Sequence, residues 1–169
     1  CAQNRGSYLT RESCHPQFKP LFRWLDERRG ALEDALFPDL MLFGEWCYAV
    51  HSVAYDRLPD WFLAFDVFDR AAGKFWSVPR RDALVRQLGL ALIPRLADGR
   101  FQLAEFPGLL GRSRLADVPA EGIYVRCDNG DHLVARAKVV RSEFTQAIEE
   151  HWSKRALRAN KVERPGAQA

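Results

Sequence analysis

The chain has 169 residues, 47% of them hydrophobic and 12% aromatic, which suits one globular domain with a sizeable core. Its net charge of +3 permits a polyanionic partner without requiring one, and its 20 arginines against 5 lysines favour bidentate contacts to phosphate. Cys1, Cys14, Cys47 and Cys127 form no C-x-x-C pair, which argues against a disulfide framework or zinc site, and the longest apolar runs fall far short of the roughly 20 residues that span a bilayer. The expectation is a soluble cytoplasmic protein with no membrane contact and no predicted protein partner. The chain opens on Cys1 and its only methionine is Met41, so the natural start is expected upstream.

In chain order, FKPLFRWLDERRGALEDALF spaces Leu21, Trp24, Leu25, Leu32 and Leu36 as two short amphipathic helices interrupted at Gly30. DLMLFGE, from Asp39 to Glu45, reads as a strand, and WFLAFDVFD, from Trp61 to Asp69, as a central one, because it is apolar on both alternating faces. Ala71-Ala72-Gly73 turns the chain back into Lys74-Phe75-Trp76. Ser77 and Pro79 supply an N-cap and an early helical proline for a helix ending near Gly89. ALIPRL reads as a short strand and QLAEFPGLL as a broken helix. The irregular alternation predicts an α+β fold.

EGIYVRCDNGDHLVARAKVVR carries the clearest local signal, since Asn129-Gly130 between β-rich runs marks a hairpin. With those two residues as the loop, Glu121 opposes Lys138 and Ile123 opposes Arg136, and these side chains crowd one face. Ser142 then caps a helix running to Asn160, followed by a frayed tail from Lys161.

Two acidic residues, Glu45 and Asp66, stand in apolar, aromatic sequence, where a carboxylate needs a structural partner or a ligand. Glu45 at a strand end and Glu121 before Gly122 suit ribose hydroxyls or a divalent cation, while Arg136 with Lys138 suits a triphosphate or phosphodiester. Each also has a plainer role: Glu121 as the cross-strand ion-pair partner of Lys138, Glu45 as a loop cap. Phe65 stacks on a base or fills the core. His51 is an acid-base candidate or a loop hydrogen-bonder, and Trp61 and Phe62 are assigned to packing.

Taken in order, NRG (Asn4–Gly6), FGEW (Phe43–Trp46), FLAFDVFD (Phe62–Asp69), EGIYVR (Glu121–Arg126) and RAKVVR (Arg136–Arg141) resemble the ATP-dependent RNA ligase family of covalent nucleotidyltransferases. The resemblance implies an N-terminally incomplete nucleotidyltransferase domain over residues 1–152, built of antiparallel sheets with flanking helices, with residues 153–169 closing a C-terminal helix and polar tail. It implies ATP as AMP donor, Mg²⁺ or Mn²⁺, and RNA as partner. Glu45 would bind ribose, Phe65 would stack on adenine, Glu121 would serve the metal-dependent chemistry, Lys138 would contact phosphate, and Arg5 would position the nucleotide or RNA end. Arg136 stands where the family usually has lysine. The lysine nucleophile of the family lies in K-x-D-G, and none of Lys19, Lys74, Lys138, Lys154 and Lys161 is followed by x-Asp-Gly, so that motif is expected before Cys1 and the chain alone is expected to be inactive in self-adenylation. DNA ligase or capping-type nucleotidyltransferases and a non-catalytic nucleotide- or RNA-binding module are the competing readings.

Overall fold

The computed structural model describes residues 1–142 and 156–163. Strands β1 (Gln3–Asn4) and β2 (Ser7–Tyr8) form a minimal hairpin whose two loop residues, Arg5 and Gly6, take φ of 42° and 92°. After a 3-10 turn at Pro16–Phe18 come α1 (Lys19–Asp26) and α2 (Arg29–Leu36). The break between them falls at Glu27 and Arg28, and Gly30 lies inside the first turn of α2, a correction to the expected interruption. Glycine is unfavourable but permitted there, so it marks the break without sitting in it.

Strands β3 (Leu40–Trp46) and β4 (Phe62–Asp69) pair antiparallel. On the far side of β4, β5 (Lys74–Phe75) pairs antiparallel at one end and β6 (Ala91–Leu92) pairs parallel at the other. β4 is therefore central, as its two-sided apolar pattern predicts. Between β5 and β6 runs α3 (Val78–Gln87), whose Val85 is fully buried with Leu21, Trp24, Ala64 and Leu90 in the main core. Ser77 precedes α3 but makes no side-chain cap; Asp128 Oδ2 accepts from Val78 N at 2.6 Å instead. A second 3-10 turn (Leu103–Glu105) and α4 (Phe106–Leu109) make up the broken helix.

The hairpin of β7 (Gly122–Asn129) and β8 (His132–Val140) forms with a different register. Gly130 and Asp131 are the loop, Gly130 at φ 56°, and an irregularity between Cys127 and Asp128 shifts the ladder by one more residue. Lys138 thus opposes Tyr124, and Arg136 opposes Arg126, which corrects both expected pairings. Arg136 and Lys138 still share a face, but with Tyr124 and Arg126. Asp128, which caps α3, pairs with Leu133 in the ladder.

The hairpin is tied to the larger sheet by a bridge between Trp76 and His132 and by Ser77 N donating to Asp131 O at 2.8 Å. The expected helix from Ser142 lies mostly outside the described residues, but its final residues and the start of the tail do not. Arg158 to Glu163 is not helical: Ala159 bridges Ala49 and Val162 bridges Leu58, and Asn160 is the buried residue of the six. Helix through Asn160 and fraying from Lys161 are therefore corrected: backbone pairing to the loop after β3 holds this segment, a tertiary contact its own polar sequence does not disclose. Among the described residues no helix is long and apolar enough to cross a membrane.

Candidate active site

The face of β3 and β4 that meets the hairpin is set by a single extra residue. Phe43 opposes Asp66, but Gly44 opposes Ala64, so Phe65 is left unpaired in β4. Leu42, Trp46, Phe62 and Ala64 can then face the helical core while Phe43, Glu45, Leu63 and Asp66 share the other face. Gly44 is obligatory, since a Cβ there would stand 2.3 Å from Phe62 Cζ and 2.8 Å from Leu63 O.

Asp66 is 0% exposed and answers its burial with three partners from the hairpin. Tyr124 Oη donates to Asp66 Oδ2 at 2.8 Å, Arg136 Nη1 lies 3.3 Å from the same oxygen, and Arg126 Nη1 pairs with Oδ1. The Arg126 side chain is only 6% accessible and also donates to Trp76 O at 2.6 Å. Arg136 remains 48% accessible and its guanidinium lies 4.3 Å over the Phe75 ring. Phe65 meets Tyr124 edge-on, with ring centroids 5.9 Å apart, and its carbonyl accepts from Arg81 at 2.7 Å. These groups form a closed floor.

Beside the floor, four charged residues converge. Glu45 is solvent-accessible on one side, yet partial burial is the main influence on its carboxyl and raises its pKa; Lys138 and Arg5 pull it down, and Glu121 pushes it up. The buried Cys47 thiol is pushed up to about 12 by its burial first, then by Glu45 and Glu121. The Tyr55 phenol is raised by burial and by Glu121, Cys47 and Glu45. Ser52 Oγ donates to Glu121 Oε1. Among the described residues no side-chain hydrogen bond or ion pair engages Arg5 or Lys138, and none joins Glu121 to Lys138, so the cross-strand ion pair is absent.

Arg5, Glu45, Glu121 and Lys138 therefore gather at one rim, while Phe65 and Arg136 belong to the adjoining floor. His51 Nε2 and Gln17 Oε1 are hydrogen-bonded at 2.9 Å. Sequence reasoning missed Tyr124, Arg126 and Ser52. The alternation of GIYVR places Tyr124 and Arg126 on one face and could have exposed the first two; nothing near Ser52 in the sequence points to Glu121, 69 residues away. No group of three or more His, Cys, Asp or Glu side chains among the described residues can hold a metal ion.

A family model described as RNA ligase matches residues 1–140. The chain belongs to the RNA ligase family. Comparison with curated proteins and with solved structures gave no match. The RNA ligase assignment accords with the mixed α+β architecture, and the matched span contains every rim and floor residue named above. It ends before Arg158–Glu163, so that segment of this RNA ligase family member has to be understood from its contacts alone.

Proposed function

We propose that this domain seals RNA 5′-phosphate and 3′-hydroxyl ends in an ATP-dependent reaction that passes through enzyme-AMP and RNA-adenylate intermediates. The observation that carries the reading is the convergence of Arg5, Glu45, Glu121 and Lys138 at the rim of an aromatic floor, in a chain of the RNA ligase family. Phe65 stacks on adenine, Glu45 accepts from the ribose hydroxyls, and Arg5 with Lys138 faces the phosphates. Arg136 adds charge from the floor, where Asp66 and Phe75 already fix its direction. Glu121, with one oxygen held by Ser52, offers the other to Mg²⁺ or Mn²⁺. The bound ion supplies charge neutralisation at the phosphate.

In the sealing step the 3′-hydroxyl oxygen attacks the 5′-phosphorus of the adenylated end; the new P–O bond forms as the bond to AMP breaks, and the hydroxyl proton is released. Here Lys138 and Arg5 stabilise negative charge on the phosphates and Glu45 keeps the leaving AMP in register. The adenylated lysine of the family is not assigned to any of the five lysines of this chain.

A test that needs no such lysine supplies the chain with a 5′-adenylated RNA strand, a 3′-hydroxyl strand on a complementary splint, and Mg²⁺. The expected product is the joined strand with one AMP released, and Glu45→Ala and Lys138→Ala abolish it. The missing K-x-D-G lysine favours one other reading, a nucleotide- or RNA-binding module without catalysis. Tight binding of ATP or adenylated RNA with no joined product, at any Mg²⁺ or Mn²⁺ concentration, would establish that reading instead.

A further inference from the structure

Glu163 and the five residues before it cross the loop that leaves β3 and share five backbone hydrogen bonds with it. Val50 N donates to Arg158 O at 2.8 Å, Asn160 N to Tyr48 O at 2.8 Å, Lys161 N to Tyr55 O at 2.9 Å, Leu58 N to Lys161 O at 3.2 Å, and Glu163 N to Leu58 O at 2.8 Å. At the centre sits Asn160, 6% exposed. Its Nδ2 donates to Cys47 O at 2.8 Å and Ala49 O at 3.1 Å, while its Oδ1 accepts from Tyr55 N at 2.8 Å. One side chain thus satisfies three backbone groups of an irregular loop that would otherwise be buried without partners.

The loop stapled in this way starts two residues after Glu45 and carries Ser52, whose hydroxyl holds Glu121. Glu121 in turn receives Arg141 N on its carbonyl at 3.0 Å, closing the base of the hairpin. The chain of contacts runs from Asn160 through the loop to Ser52, then to Glu121 and the hairpin. We infer that Asn160 is a positioning residue for the rim: the Arg158–Glu163 strap, which lies beyond the family match, fixes the Cys47–Leu58 loop so that Ser52 presents Glu121 beside Glu45. The strap resting on the loop is read from the contacts alone; its service to ATP and metal rests on the function proposed above.

Backbone amide exchange on the full chain tests both parts. In Asn160→Ala the amides of Val50, Tyr55 and Leu58 should exchange roughly tenfold faster or more, as for a locally opened segment, while those of α3 and β4 keep their rates. Arg141 N, bonded to Glu121, should also quicken, in Asn160→Ala and in Ser52→Ala alike, although Ser52→Ala leaves the strap amides protected. In the unmutated chain ATP with Mg²⁺ should slow exchange at the amides of Asn160 and Glu163, and Ser52→Ala should lose that gain. Unchanged loop rates in Asn160→Ala, or equal acceleration throughout α3 and β4, would overturn the staple. Unchanged Arg141 exchange in both variants would overturn its reach to Glu121. If ATP with Mg²⁺ protects no amide anywhere, the nucleotide reading fails, while the nucleotide-free comparisons still decide the positioning role.

Discussion

The floor and the rim of the site use the same kinds of residue in opposite ways. At the floor, Tyr124, Arg126 and Arg136 all engage Asp66, and the two innermost charges have almost no contact with water. At the rim, Lys138, Arg5 and Glu121 act on Glu45 through space, and among the described residues only Glu121 of the four has a side-chain hydrogen bond, from Ser52. A buried pair must be complete because either half left alone is an uncompensated charge. A ligand site has to hold something back. The hairpin serves both regions with alternate residues of one face: Arg136 goes to the floor, and Lys138, two residues on, stays at the rim.

The sharpest test of this division is Asp66→Ala. It strands the enclosed Arg126 guanidinium and should cost about 3–5 kcal/mol in urea unfolding, a large part of the roughly 5–15 kcal/mol that holds a domain together. Gly122→Ala comes next: its Cβ would stand 2.5 Å from Val139 O, and parting the hairpin at its base should cost of the order of 1–3 kcal/mol. Lys138→Ala should reverse the pattern, weakening ATP binding by about ten- to a hundredfold in calorimetric titration while changing stability by no more than about 0.5 kcal/mol. A Lys138 variant that unfolded readily would erase the distinction between the regions. Arg136→Gln falls between them, with about 0–1 kcal/mol lost because its ion pair is half exposed.

The smallest effect concerns pH. Glu45 has its carboxyl raised in the folded protein by burial first, so folding favours its protonated form. Its contribution is present at pH below the ordinary carboxylate range and is lost as pH rises through the raised folded value. Glu45→Gln should therefore be slightly more stable than the parent at neutral pH, with the difference fading in acid, even as nucleotide binding falls. Equal pH profiles for the two proteins would show that Glu45 is not under rim strain.

The parts of this arrangement that depend on periodicity were legible in the sequence. β3, β4, α3 and the hairpin follow from alternation, the Pro79 position and the turn glycines, and the two-sided apolar pattern of β4 correctly made it central. The hairpin register was not legible, because the loop falls at Gly130-Asp131, one residue later than the Asn129-Gly130 signal, and an irregularity between Cys127 and Asp128 adds a further step. Arg5, Glu45, Glu121 and Lys138 were found through their chemistry and the motif resemblance. The pairing of Asp66 with Tyr124 spans 58 residues, and that of Asn160 with Cys47 spans 113; no local pattern encodes partners so remote.

Phe65, the unpaired residue of β4, also fixes the parity of the whole strand. Removing it without replacement would turn the residues on one side of the gap over relative to the other, setting Asp66 against the helical core or Leu63 and Ala64 in each other's places. Any exchange of side chain at this position keeps that arithmetic; a change of length by one does not. For this strand the count of residues between Ala64 and Asp66 is itself a functional character, and single-codon deletions there should be far less tolerated than substitutions.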